Sequence, residues 1–276
     1  MKAIICADIH GNFQALQSLL KTKCAKTADK IFILGDLVCM GPEPNEVVEL
    51  VRNNKDKIIA VMGNHDKWLS VEPPPSSKNC KPVKIKHHDY MRAMMEDSNL
   101  EFLSKLPYYY EFKCGKLKFY LTHYGWQGDF VEVVEHPSVE ENKYNINKIF
   151  KNIDADFIIF GHNHDELQFE AGKQKYICVG TLGMNKYGTY LVLSYDEKND
   201  ECRLERKTLK IPNSKTIKLM RQMRYPRYNF YVGYLMGKNV SIYQDEKGES
   251  FYQRNKKISK PVTLIFNSKS ENKLKK

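Results

Sequence analysis

Five short polar segments each follow directly on an apolar run rich in β-branched residues: Asp8-Ile9-His10, Gly35-Asp36, Gly63-Asn64-His65-Asp66, Thr122-His123 and Gly161-His162-Asn163-His164. Few architectures accommodate such a recurrence. Short apolar runs of this kind read as strands covered on both faces. Between the first three, Asn12 to about Lys23 carries Phe13, Leu16, Leu19 and Leu20 on one helical face, and Asn45–Arg52 forms a second helix. Strand–helix–strand alternation with short connections implies right-handed crossovers and a largely parallel sheet. In such sheets the chemistry gathers beyond the carboxyl ends of the strands, where Asp8, Asp36 and Asn64 fall.

Further along, residues 71–105 interrupt the alternation with the loop Pro73-Pro74-Pro75-Ser76-Ser77 and a helical stretch at Lys86–Asn99, a cap-like excursion beside the polar segments. Tyr108–Phe112 and Lys116–Thr122 read as a hairpin with His123 at its exit. A helix is expected at about 140–152 and a strand at Phe157–Phe160. Strand-like runs follow at Leu167–Ala171, Gln174–Val179 and Thr189–Ser194, and Glu201–Lys207 is expected to close a second sheet. The expected fold is therefore α/β, a four-layer α/β/β/α sandwich of two mixed sheets flanked by helices. Residues 1–223 form its main domain, with a helix from Pro212 to about Met223. Residues 224–276 form a basic, aromatic-rich C-terminal extension.

The 276-residue chain is 42% hydrophobic and 12% aromatic, enough for one large core or a core with an appendage. Neither a signal peptide nor a span of about 20 apolar residues is present, so a soluble, cytoplasmic protein without membrane association is expected. Seven dispersed cysteines without a Cys-x-x-Cys spacing read as reduced core thiols. The net charge of +11 would attract phosphate-bearing substrates, but with no dense basic block before the C-terminal end it equally describes a lysine-rich solvated surface.

The polar segments supply carboxylates, an amide and imidazoles with no thiolate, a donor set that suits Mn²⁺, Fe or Zn²⁺. A set this large can hold two cations, which about 3.5–4 Å apart can clamp the attacking and leaving oxygens of a displacement at phosphorus. A bridging ligand should be anionic, which points to Asp36. Asp8 and His10 lie two apart on an extended segment and can face one metal, and a short extended loop can aim His162 and His164, again two apart, into one pocket. Asn64 offers a neutral oxygen that does not repel a phosphate. His65 is left over, placed to protonate a leaving alkoxide or stabilise pentacoordinate phosphorus, and Asp66 is expected to fix its tautomer.

Each segment alone occurs by chance, but all five in this order resemble the calcineurin-like metallophosphoesterases, and most closely the small prokaryotic-type phosphodiesterase branch. The continuation of the first segment as Gly11-Asn12 with Ala15-Leu16, and the stretch Gly41–Val48, are also similar to that branch. The resemblance implies a first metal on Asp8, His10, Asp36 and His164, a second on Asp36, Asn64, His123 and His162, and His65 as the catalytic histidine. It further implies Mn²⁺ as the activating ion, a metal-held hydroxide as nucleophile, and a phosphodiesterase acting on small nucleotide-like substrates. Dinucleoside polyphosphate hydrolysis, serine/threonine phosphatase activity, a nuclease and a non-catalytic scaffold are the alternatives; retention of all seven ligands and His65 argues against the scaffold.

Two departures bear on substrate rather than metal. Cys178-Val179-Gly180-Thr181-Leu182-Gly183 stands where the branch often has Asn-Pro-Gly-Ser-x-Gly, with Thr181 keeping a hydroxyl. Tyr124-Gly125-Trp126 follows His123, and Tyr124 and Trp126 are candidates to stack on a base or to anchor the loop. Asn12 is a candidate helix cap that in the family can approach the phosphate. His87 and His88 read as exposed, or as able to meet substrate should the excursion fold over the site. The Tyr/Lys/Arg mixture at 224–256 carries no recognised nucleic-acid motif and reads as an accessory sheet or a homo-oligomer contact.

Overall fold

The computed structural model describes residues 1–71, 82–125, 139, 149–150, 152–237 and 263–267. The Pro73–Ser77 loop, most of the helix expected at 140–152, Trp126, and nearly all of 238–276 lie outside the described residues.

Each of the first three apolar runs forms a strand: β1 (Lys2–Cys6), β2 (Lys30–Leu34) and β3 (Ile58–Val61). They pair in parallel, with Ile4 opposite Ile31 and Ile31 opposite Ile58. The crossovers are α1 (Phe13–Leu20), with a short turn of helix α2 (Lys23–Lys26), and α3 (Pro44–Asn53). Pro44 opens α3 because its fixed φ suits a first helical turn and its missing N–H would be unpaired there anyway. Beyond β3 come α4 (Asn64–Ser70), α5 (Pro82–Met94) and α6 (Asp97–Ser104). The excursion is thus two helices rather than one, broken at Met95-Glu96, where Asn45 accepts from the Glu96 N–H at 3.0 Å.

The hairpin forms as expected, β4 (Tyr109–Cys114) with β5 (Leu117–Thr122), followed by β6 (Phe157–Phe160), β7 (Leu167–Ala171) and β8 (Gln174–Cys178). These five make one sheet, ordered β4-β5-β6-β8-β7. The next strands, β9 (Tyr187–Asp196) and β10 (Glu201–Lys210), correct the expected topology. They do not close the second sheet. β9 runs antiparallel beside β1, with Ala3 opposite Leu193, and carries β10 into the first sheet. After α7 (Ser214–Gln222) and α8 (Tyr228–Leu235), β11 (Thr263–Asn267) pairs with β10, so the order is β11-β10-β9-β1-β2-β3.

Both sheets are mixed. Alternate residues of each face the other across a core that includes Ile5, Phe32, Leu34, Phe119, Phe157, Ile159, Leu191 and Leu204. The outer face of the first sheet is covered by α1, α3, α6 and α7 through Leu16, Leu19, Val48, Leu103 and Met220, with Tyr225 and Tyr231 of the extension in the same cluster. On the outer face of the second, Tyr120, Ile158, Phe160 and Tyr176 meet Val139, Ile149, Phe150 and Ile153. The cysteines among the described residues are free thiols, mostly buried. No described helix is long and apolar enough to cross a membrane.

Candidate metal centre

The two sheets point the carboxyl ends of β1, β2, β3, β5 and β6 toward one edge of the sandwich, and the chain leaves each strand through a sharp turn. Asp8, His10, Asp36, His162 and His164 all have left-handed backbone, with φ between 50° and 69°. Residues other than glycine seldom adopt it, and clusters of such strain occur where surrounding structure forces side chains into a functional site. Gly35 and Gly63 make the crowding possible. A Cβ on Gly35 would lie 2.7 Å from the Gly63 backbone, and one on Gly63 would lie 2.2 Å from Asp36 Oδ1.

Asp8 and Asp36 each use one carboxylate oxygen to fix their position and turn the other inward. Asp8 Oδ2 accepts from the His162 N–H at 3.1 Å, and Asp36 Oδ1 accepts from the His65 N–H at 2.9 Å. Asp8 Oδ1 is buried without a hydrogen-bond partner. It lies 3.2 Å from His164 Nε2 and 3.6 Å from His10 Nε2. Asp36 Oδ2 lies 3.7 Å from His10 Nε2 and 3.4 Å from His123 Nε2, between the two groups of ligands.

The imidazole tautomers follow from their partners. His10 Nδ1 donates to Val38 O at 3.2 Å and His123 Nδ1 donates to Leu34 O at 2.7 Å, because a carbonyl can only accept. Their Nε2 atoms therefore present lone pairs. His10 Nε2 and His164 Nε2 face each other at 2.8 Å, and Asn64 Oδ1 lies 2.9 Å from His123 Nε2 and 3.0 Å from His162 Nδ1. Lone pairs and carboxylate oxygens thus converge in a buried space, an arrangement that favours a cation. Burial, with the charges of Asp8 and Asp66, pushes the Asp36 carboxyl well above its ordinary value, which a positive ion would reverse. One ligand atom from each of Asp8, His10, Asp36 and His164 fits within 4.8 Å, so this group can hold a metal ion.

Around these ligands the structure revises several roles. Asp66 does not orient His65. Its carboxylate accepts from Leu37 N at 2.9 Å, Val38 N at 3.2 Å and Gly63 N at 2.9 Å, clamping the Asp36 turn to the start of α4. His65 is part-buried, edge-on to His10 at 5.3 Å and to Trp68 at 5.0 Å between ring centroids. Burial and the neighbouring imidazoles of His164 and His123 hold it well below the usual histidine value.

Asn12, expected near the phosphate, has no free proton to offer. Its amide donates to Gly183 O at 2.8 Å and to Asn213 Oδ1 at 3.0 Å, while its oxygen caps α1 through Ala15 N. Tyr124 is fully buried, its ring edge-on to His162 at 4.7 Å, so it anchors that ligand and has no face exposed to a base. Thr181 donates to Asp8 O at 2.9 Å, stapling its loop to the first ligand segment. Trp126 lies outside the described residues.

Sequence reasoning missed Arg206. This buried guanidinium, 8% exposed, projects from β10 and donates to Cys178 O of β8 at 2.9 Å. Its field also acts on Glu166, two residues beyond His164. The available signal was parity, since Cys202, Leu204 and Arg206 share the inward face of one strand.

A family model described as calcineurin-like phosphoesterase matches residues 1–166. An uncharacterised protein of Methanocaldococcus jannaschii is 29% identical over 163 residues, 58% of this chain and 61% of that protein. A protein of Erwinia tasmaniensis named symmetrical bis(5'-nucleosyl)-tetraphosphatase is 32% identical over 108 residues, 39% of each chain. The chain thus spans less than two thirds of the length of these curated relatives. The crystal structure of a metallophosphoesterase from Sphaerobacter thermophilus superposes with a TM-score of 0.66 at 21% identity, covering 85% of this chain and 98% of that one, and has the same fold.

Proposed function

The chain belongs to the calcineurin-like phosphoesterase family, and from that premise we propose that it hydrolyses phosphodiester or phosphoanhydride bonds of small nucleotide-like substrates with two divalent cations. The observation that carries this reading is the buried Asp8 Oδ1, without a hydrogen-bond partner, in one cluster with the inward-facing ring nitrogens of His10 and His164, with the inward lone pair of His123 beyond Asp36. Asp8, His10, Asp36 and His164 would hold one cation, and Asn64, His123 and His162, together with Asp36, would hold the other. Mn²⁺ is the proposed ion, with Fe or Zn²⁺ compatible with the same donors. Bound there, the cations supply Lewis acidity toward phosphoryl oxygens and a lowered pKa for the attacking water.

The chain's own groups do the rest. The His65 and His162 amides lock the two carboxylates before substrate arrives, so little reorganisation is needed. Held neutral by burial, His65 offers one N–H as a hydrogen-bond donor to the leaving oxygen rather than a positive charge. The likeness to a protein named symmetrical bis(5'-nucleosyl)-tetraphosphatase supports a second reading, cleavage of a phosphoanhydride in a dinucleoside polyphosphate.

The test is metal analysis together with a substrate panel in Mn²⁺: bis-p-nitrophenyl phosphate, p-nitrophenyl phosphate, cyclic nucleotides, diadenosine tetraphosphate and short RNA. Wild-type protein is expected to retain close to two ions per chain. Asp36→Asn should lose both ions and turnover, whereas His65→Ala should keep the ions and lose turnover by about 10²-fold or more. Absence of metal after Mn²⁺ loading would overturn the site; loss of metal in His65→Ala would remove the role given to His65.

A further inference from the structure

Helix α5 brings His87 beside the centre, and the sequence expectation of an exposed side chain fails there. His87 is 7% exposed, and neither ring nitrogen has a hydrogen-bond partner. A neutral imidazole carries one donor and one acceptor, and leaving both unmatched in a buried setting is costly. The metal centre does not account for it.

The surroundings of His87 are aromatic and cationic. Its ring is tilted against Tyr231 at 5.0 Å and edge-on to Tyr225 at 5.7 Å between centroids. Arg227 adopts left-handed backbone, φ 57°, at the start of α8 and sets its guanidinium 4.1 Å over the Phe230 ring. It hydrogen-bonds the Tyr231 hydroxyl, and its positive charge acts on His87. Burial and that charge pull His87 down to about 3, so the ring is neutral at working pH.

The group is joined to the centre on two sides. His88 Nε2 donates to Trp68 O at 2.9 Å, and Trp68 packs against His65. Tyr225 donates to Gly41 O at 3.0 Å, in the loop that follows Asp36. An imidazole with an unmatched N–H and a guanidinium with five N–H groups, both held on aromatic walls, match the oxygens of a phosphoryl group. A bound anion would give His87 the acceptor it lacks, at a place on which the positive charge of Arg227 already acts.

We propose that His87 and Arg227 form an anion subsite beside His65 that holds a phosphoryl group of the substrate other than the one being cleaved. The proposal rests on the phosphoesterase reading above and narrows its substrate class to nucleotides or dinucleotides carrying two or more linked phosphoryl groups.

Binding can be read without turnover. Full-length, metal-loaded protein is titrated by calorimetry with inorganic phosphate and with pyrophosphate. Wild type is expected to bind pyrophosphate about tenfold or more tightly than phosphate, the size of one charge-assisted contact. His87→Phe, which keeps a ring in the cluster, and Arg227→Met, which keeps the stem over Phe230, should each cut that ratio by about tenfold, and Arg227→Lys should restore part of it. An unchanged ratio, or a parallel loss for both anions, overturns the subsite and leaves the pair as packing alone. Should His87→Phe fail to melt cooperatively, Arg227→Met decides. In a second arm, kcat/KM for diadenosine tetraphosphate over that for bis-p-nitrophenyl phosphate should fall in the same variants. A wild type that turns over neither substrate overturns the proposed function, while the calorimetric ratio still decides the subsite.

Discussion

At the scale of single residues, the centre depends on carboxylates whose two oxygens have different tasks. Asp8 and Asp36 each give one oxygen to a backbone amide and turn the other inward, so their orientation is fixed independently of any ion. Asp66 shows how a neighbouring carboxylate can serve the site without touching it. Its three amide acceptor contacts join the Asp36 turn to α4. Asp66→Ala should destabilise the protein by about 3–5 kcal/mol, since buried amides are left unmatched. Urea unfolding measures that loss, and metal content after dialysis should fall with it; an unchanged metal content would confine Asp66 to stability. The sequence did contain this role. An acidic residue three positions after Gly63, at the start of a helix, is the pattern of a side chain that reaches back to the N-cap amide, one half of a capping box. What it did not reveal is that the same carboxylate also reaches Leu37 and Val38, because those contacts cross 28 and 29 residues.

At the scale of elements, strand ends and the pairing of strands near in sequence were legible, and the partners of β9 and β10 were not. The runs at Ala3–Ala7, Ile31–Leu34 and Phe157–Phe160 announce strands by composition, and the turns after them announce ligands. The affiliation of β9 and β10 depends on hydrogen bonds to β1, nearly the whole chain away, and nothing in Thr189–Ser194 encodes that choice locally. Arg206 exploits it. Because β10 lies in the first sheet and β8 in the second, its guanidinium can tie the two sheets at the edge that carries the ligand turns. Arg206→Met keeps the buried stem but removes the donor to Cys178 O. The expected result is a loss of about 2–3 kcal/mol in urea unfolding, with weaker retention of metal because the His162–His164 turn is less constrained. Retention equal to wild type would show that Arg206 braces the sheets without positioning the turn.

For the molecule as a whole, a cation held by the buried cluster would link binding to folding. Asp8, Asp36 and Asp66 are buried together, and that burial, with the charges of Asp8 and Asp66, already pushes the Asp36 carboxyl upward. Ions that bind only the folded state stabilise it by mass action. Chelation should lower the melting temperature by about 10 °C, and Mn²⁺ should restore it, as read by scanning calorimetry. An unchanged melting curve would mean that the carboxylates are compensated within the protein.

The sequence by itself determined the order of the candidate donors, their positions at strand ends, and the family. Those properties are local: alternation, turn residues and two-residue spacings act over a few positions and survive in the linear pattern. Only the tertiary structure decided which oxygen of each carboxylate faces inward, that Asn12 and Tyr124 brace the centre, and that His87 and Arg227 meet beside His65. Those outcomes depend on partners brought together from distant segments. Burial then decides them, since a polar atom removed from water must find whatever partner the packing supplies.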